Sequence, residues 1–283
     1  MWFYYALLAA VLWGVGEIVV KKGQSSLSPF GDNLIATLIQ VFLVAPFILF
    51  FLGINRSEIS AAWPYALLVA TLYMTWYYII SKGQISLTGT VLSVYPLVTV
   101  ILSLLFLHET LTGLQILAVF IIISGTVILA FPSEISKESF RHPQQWLPWG
   151  IGGAVIIGIV QFLTKIGTSH SDGNTFTFLM GLSYVPALLI CALFDKKGRN
   201  IKQIKWKSSI TGLIGVAMLE FNLIPLNLAF ATGPASLVSP ITTLNSVIMV
   251  ILAVKYLKER ITKIQYIGIA ITLAGTILIG ITW

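Results

Sequence analysis

Two carboxylates stand out because of the residues around them. Glu17 and Glu220 each lie inside a run of about twenty apolar residues, where a charge costs on the order of 2.5 to 3.5 kcal/mol if the run crosses a bilayer. A chain that keeps carboxyls at that depth has a use for them. They can face a cationic solute, or carry protons, because loss of water favours the neutral acid. Glu220 has no opposite charge within a helical turn. Glu17 has Lys21 at i+4, which offers a structural alternative, an ion pair along one helix face.

Aromatic and amide side chains cluster near these acids. Trp13 precedes Glu17 by one turn, and Asn227 follows Glu220 by two. Tyr73, Trp76 and Tyr77 share one predicted helix face at i, i+3 and i+4. Tyr95, Gln161 and Asn245 are polar groups inside other apolar runs. Aromatic faces beside a carboxylate bind ammonium groups through cation–π attraction plus charge. Glu17 and Glu220 are therefore the candidates for proton or cation coupling, and Trp13, Tyr73, Trp76, Tyr77, Tyr95, Gln161, Asn227 and Asn245 for substrate binding. The competing role for such rings is core packing or an interfacial belt, which is how Tyr4, Tyr5, Trp63, Trp146, Trp149 and Trp283 read, all near run ends.

Other chemistry finds little material. One cysteine, Cys191, and three histidines, His108, His142 and His170, leave no disulfide framework and no metal cluster. Paired acids, or a nucleophile with its base, are missing, so the chain does not read as an enzyme. A Walker motif is missing as well, so ATP is not a direct energy source, and no cofactor is expected.

The elements that must position these residues follow from composition. Of 283 residues, 57% are hydrophobic and 10% charged, against roughly 25% charged in soluble domains. A water-soluble globular protein is excluded. Ten apolar stretches fall at 3–20, 32–53, 64–81, 85–107, 113–131, 147–167, 174–194, 209–230, 235–257 and 263–282. They are apolar on nearly every face, unlike barrel strands, and predict an all-α polytopic membrane protein with ten transmembrane helices. The first run carries no signal-peptide features and reads as a retained helix.

Positive charge collects in alternate joints. The odd-numbered joints hold fifteen of the 17 Lys and Arg residues, and the even ones hold only Arg56 and Lys165. The positive-inside rule then places both termini outside. The net charge of +7 reads as this topology signal, with anionic membrane lipid as its partner and not nucleic acid.

The two halves match segment by segment. Glu17-(x3)-Lys21-x-Gly23 lies opposite Gln161-(x3)-Lys165-x-Gly167 at an offset of 144, and Asp32 with Pro46 opposite Asp172 with Pro186 at 140. From there the offset is 150. Gly83-x-x-Ser86-Leu87 meets Gly233-x-x-Ser236-Leu237, Glu109-x-x-Thr112-x-x-Gln115 meets Glu259-x-x-Thr262-x-x-Gln265, and Gly125-Thr126 meets Gly275-Thr276. Residues 1–132 form one five-helix repeat and 147–283 the other, joined by 133–146. Five helices per repeat invert the second against the first, the arrangement of secondary transporters. Thr112 and Thr262 read as capping boxes, and Asp32 and Asp172 as N-caps. Pro96, Pro186, Pro225 and Pro240 are placed within helices, as bends.

In Trp13-Gly14 and Lys21, in Pro96 thirteen residues before Glu109, in His108-Glu109-Thr110-Leu111-Thr112 and in Lys258-Glu259-Arg260-Ile261-Thr262 ahead of Gly275, the chain resembles the drug/metabolite transporter superfamily, specifically its EamA-type members. The resemblance spans the whole chain. It implies a ten-helix bundle that moves metabolites, amino acids, nucleotide sugars, amines or drugs by alternating access, lined by the first, third, fourth, sixth, eighth and ninth helices. It favours an exporter in the cell membrane, proton-coupled or working by exchange. A flippase for a lipid-linked sugar or amine is the alternative. A monomer is expected, with a homodimer second. Three positions depart from the family pattern: His108 stands for a usual Gly, Ser246 for the counterpart of Pro96, and Glu17 where the family is commonly uncharged. The family also implies cytoplasmic termini, opposite to the charge distribution.

Overall fold

The computed structural model describes residues 1–23, 28–82, 91–131, 147–195, 210–258 and 261–283. All regular elements among them are helical: α1 (Trp2–Gly23), α2 (Pro29–Leu52), α3 (Ile59–Tyr73), α4 (Thr75–Lys82), α5 (Tyr95–Phe106), α6 (Gly113–Ala130), α7 (Leu147–Ser169), α8 (Gly173–Phe194), α9 (Ile210–Phe221), α10 (Leu223–Thr232), α11 (Ala235–Thr242), α12 (Leu244–Leu252) and α13 (Lys263–Thr282). Eight helices in the described residues are long and apolar enough to cross a membrane, some of them continuous through a break. The repeat motif Gly83-x-x-Ser86-Leu87, the residues Glu259, Arg260, Trp146 and His142, and most of the basic joints, Lys137, Arg141, Lys196, Lys197, Arg199, Lys202, Lys205 and Lys207, lie outside the described residues.

The local end signals hold where the chain supplies them. Thr112 and Thr262 each accept a hydrogen bond from the backbone N–H three residues on while Gln115 and Gln265 reach back, two full capping boxes. Asp172 Oδ1 caps α8, accepting from Asn174 and Thr175 N–H at 2.8 and 2.9 Å. Asp32 does not cap α2. Ser28 does, accepting from Gly31 N–H at 3.2 Å, because Pro29 starts the helix early and leaves Asp32 inside the first turn.

Several expected continuous helices are interrupted. The third run breaks at Met74, the eighth at Asn222 and the ninth at Thr243, and the chain turns at 93–94 before α5. Pro96 and Pro225 consequently sit in the first turns of α5 and α10 and do not bend helix interiors as expected, since a first-turn residue needs no N–H donor. Pro186 and Pro240 do lie inside helices. In hydrocarbon the carbonyls freed at a break need donors. Asn33 Nδ2 donates to Met74 O at 3.0 Å, and Thr243 Oγ1 to Pro240 O at 2.7 Å. Within α2, π-helical turns at Gln40–Val44 and Ile48–Leu52 flank Pro46, whose missing N–H forces the ladder to shift.

Packing joins one half of the chain to the other. The first helix, α1, lies against α9, α10 and α12; α7 lies against α3 and α5; α8 lies against α3; and α6 lies along α13. Glycines set the closest approaches. A Cβ on Gly14 would stand 2.6 Å from the carbonyl of Asn245, and one on Gly158 2.9 Å from the carbonyl of Tyr95. The termini meet at one face, where the rings of Trp2 and Trp283 lie 5.8 Å apart, edge to face.

Candidate functional site

Glu17 is held on α1 by its own helix. The indole Nε1 of Trp13 donates to Glu17 Oε1 at 2.9 Å, so the partner is one turn before the acid; the Lys21 side chain lies outside the described residues. Trp13 meets Trp76 of α4 edge to face, ring centres 6.4 Å apart. Tyr73 and Tyr77 stand within electrostatic reach of both Glu17 and Glu220. The break at Met74 falls between these two tyrosines, yet they stay neighbours. Glu17, Tyr73, Trp76 and Tyr77 are half-buried.

Trp13 and Tyr73 also border, with Gln161, Asn227 and Thr164, a small internal void of about 10 Å³, close to the least that holds one water. Gln161 accepts a hydrogen bond from the Ser239 hydroxyl. The Tyr95 hydroxyl, which faces Gln161, lies 3.2 Å from Thr242 Oγ1. These four residues tie α5, α7 and α11 together. Asn227 is fixed by donating to Thr177 Oγ1 at 2.9 Å. Asn245 is not drawn into this group: its side chain accepts from neighbouring Ser246 at 3.2 Å, and its carbonyl is the one against Gly14.

Glu220 has a separate environment. It is 3% exposed and sits at the end of α9, two residues before the break at Asn222. Its Oε2 accepts from Gln40 Nε2 of α2 at 2.8 Å. The Tyr184 hydroxyl of α8 faces the same carboxyl, but no hydrogen bond of good geometry reaches it, and Gln40 Oε1 has no partner either. Gln40 and Tyr184 are site residues that sequence reasoning passed over. An amide deep inside the apolar run 32–53 is the sequence signal for Gln40; Tyr184 carries none.

A second set of contacts closes the face where the termini meet. By spacing Glu109 belongs to the motif that starts α6, but its carboxylate caps α11. It accepts from Ala235 N–H at 2.8 Å, Ser236 N–H at 2.9 Å and Ser236 Oγ at 2.6 Å. Lys165 Nζ donates to the carbonyls of Phe230 and Gly233, both at 2.8 Å. Negative charge at a helix start and positive charge at a helix end both oppose the helix dipole favourably. On the same side Glu58 Oε2 accepts from Asp172 N–H at 2.8 Å, and His170 stacks on Tyr65 with ring centres 5.2 Å apart. The contacts of Glu109, Glu58 and His170 link the first half to the second, while those of Lys165 lie within the second half.

A bundle of apolar helices with carboxyls, amides and aromatic rings turned inward is a multi-pass membrane protein. The chain belongs to the EamA-like transporter family, which matches residues 1–131 and, a second time, residues 144–281; it is a membrane transporter. An uncharacterized protein of Methanocaldococcus jannaschii is 31% identical over 133 residues, which cover 47% of this chain and 94% of that relative. A crystal structure of a protein superposes with a TM-score of 0.76 over 99% of this chain and 96% of that one, at 13% identity, a likeness of fold.

Proposed function

We propose that the chain is a secondary transporter of small organic solutes bearing an ammonium group, amines or amino acids among them, working by alternating access in the cell membrane as a monomer. Ten spans in two inverted five-helix repeats are the framework. Several observations support it. The family matches twice, and the archaeal relative is about one half-chain long. The close approaches exchange under the sequence offsets. Gly14 against Asn245 corresponds to Gly158 against Tyr95, and Gly125 against Thr272 to Gly275 against Ile122.

The observation that carries the substrate class is Glu17, whose carboxyl is oriented by the Trp13 indole beside Trp76, Tyr73 and Tyr77. An ammonium group there gains the charge of one acid with aromatic rings close by. The contacts of Glu109 and Glu58 between the halves close the terminal face, and transport requires them to part. Coupling is to protons or to a counter-solute, with export favoured.

The test is thermal stabilisation of the purified protein by cationic, neutral and anionic solutes at about pH 6 and about pH 8, since a bound ligand stabilises the folded state. Organic ammonium ions should raise the melting temperature of the parent and not of Glu17→Gln. Stabilisation by neutral or anionic solutes alone, unchanged in the variant, overturns the reading.

A further inference from the structure

We infer that Glu220, Gln40 and Tyr184 form a proton-binding site distinct from the solute chamber, so that the two buried carboxyls serve different ligands. The coupling role given to this site rests on the transporter reading above; the proton site itself does not.

Two features separate Glu220 from Glu17. Glu17 is half-buried beside Trp13, whereas Glu220 is 3% exposed. The space beside Gln40, the partner of Glu220, is filled: a Cβ on Gly181 would stand 2.9 Å from Gln40 Oε1. An organic solute has no room there.

The hydrogen-bond inventory then names the ligand. The carboxyl has one neutral donor in good geometry, the Gln40 amide, and no cation among the described residues lies against it. An anion in that setting is left uncompensated. Two polar atoms at the same place are orphaned, Gln40 Oε1, which can only accept, and the Tyr184 hydroxyl, which can donate or accept. A sealed carboxyl with one neutral donor and no cation beside it is compensated by a proton of its own. A metal ion does not suit the site, because Gln40 turns an N–H, not its oxygen, toward both Glu220 Oε2 and the Glu220 carbonyl.

The titratable groups facing Glu220 from the packed elements are Tyr184 on α8, Tyr73 on α3 and Tyr77 on α4; Glu17 on α1 and Asp32 on α2 act on the same Tyr77. All are acids or phenols, so none stabilises the anion by opposite charge. Proton release breaks the Glu220 O–H bond, passes the proton to water and leaves a carboxylate that accepts from Gln40 N–H and Tyr184 O–H. Water must reach it for that. The clasp spans two irregular stretches of backbone, the π-turn that Gln40 opens and the α9–α10 break two residues beyond Glu220. Such places yield first when helices move, which links protonation to the conformational cycle.

The experiment has an arm that needs no solute. In infrared difference spectra of the purified full-length protein taken across a pH step, the carbonyl band of a protonated carboxyl should disappear on the alkaline side. That band should be missing in Glu220→Gln, retained in Glu17→Gln and shifted in Tyr184→Phe, which keeps the ring if the glutamine variant folds poorly. In proteoliposomes, Glu220→Gln should keep solute binding and solute exchange but lose accumulation driven by a pH gradient. A band that persists in Glu220→Gln, one that answers to sodium instead of pH, or loss of solute binding in that variant overturns the proposal. If the band behaves as expected while no ammonium solute binds the parent, the proton site stands and the chamber reading falls.

Discussion

Gly14 of α1 lies against the backbone carbonyl of Asn245, 2.6 Å from the point where a Cβ on residue 14 would stand. The carbonyl belongs to a helix and cannot swing aside. Gly14→Ala should therefore push α1 away from α12 and cost about 1–3 kcal/mol, the usual range for overpacking. Gly158→Ala, opposed by the Tyr95 carbonyl at 2.9 Å, should do the same to α7 and α5. Gly152→Ala, with nothing within 4 Å, is the control. Thermal unfolding in detergent checks all three, and equal stability of Gly14→Ala and Gly152→Ala would falsify the close-packing account.

Trp13→Phe keeps an aromatic ring near Trp76 and removes the N–H that orients Glu17 together with part of the indole. Loss of one hydrogen bond to a charged group is worth about 1.5 to 3 kcal/mol, so affinity for an organic ammonium ion should fall by roughly ten- to hundredfold. Titration calorimetry measures it; parental affinity in this variant would mean that the indole does not position the acid.

Glu109→Gln removes the charge from the carboxylate that caps α11 from the other half of the chain. Charge-assisted caps are worth about 1–2 kcal/mol, and the terminal face should loosen by that amount. Hydrogen exchange at Ala235 and Ser236 should rise in the variant while the α6–α13 pair stays protected. Unchanged protection at both residues argues that the cap is incidental.

Asn33→Ala takes away the side-chain donor that meets the Met74 carbonyl at the α3–α4 break. A buried acceptor left alone costs about 1–3 kcal/mol. The variant should melt earlier than Asn33→Gln or Asn33→Ser, each of which retains a donor; a flat series would show that water already serves that carbonyl.

Thr112→Val and Thr262→Val each delete a capping oxygen at nearly constant volume and should cost about 1 kcal/mol apiece. The two caps belong to α6 and α13, which pack side by side along their length. Their effects should add, because each oxygen serves only its own helix end. Denaturation of the double variant against the two singles tests that independence.

Helix ends were legible wherever a local side chain makes them. Thr112, Thr262 and Asp172 could be assigned from spacing because donor and acceptor lie within four residues. Asp32 was misplaced for the same local reason, since Ser28 and Pro29 together form a stronger start. The breaks at Met74, Asn222 and Thr243 were not legible. A continuous apolar run looks the same whether or not its ladder is interrupted, and what makes an interruption affordable is a donor on another helix, such as Asn33 for Met74.

Composition and periodicity by themselves determined that this chain is helical, lies in a membrane and holds Glu17 and Glu220 away from water, because hydrocarbon rejects charge and unpaired backbone regardless of detail. They also exposed the matching halves. Only the tertiary structure decided what each acid touches. Gln40 and Glu220 are 180 residues apart in sequence, Glu109 caps a helix that begins 126 residues later, and Asn245 accepts from Ser246 while its carbonyl lies against Gly14. Such pairings depend on how closely helices approach, which glycines such as Gly14 and Gly158 set by admitting a carbonyl where a side chain would stand.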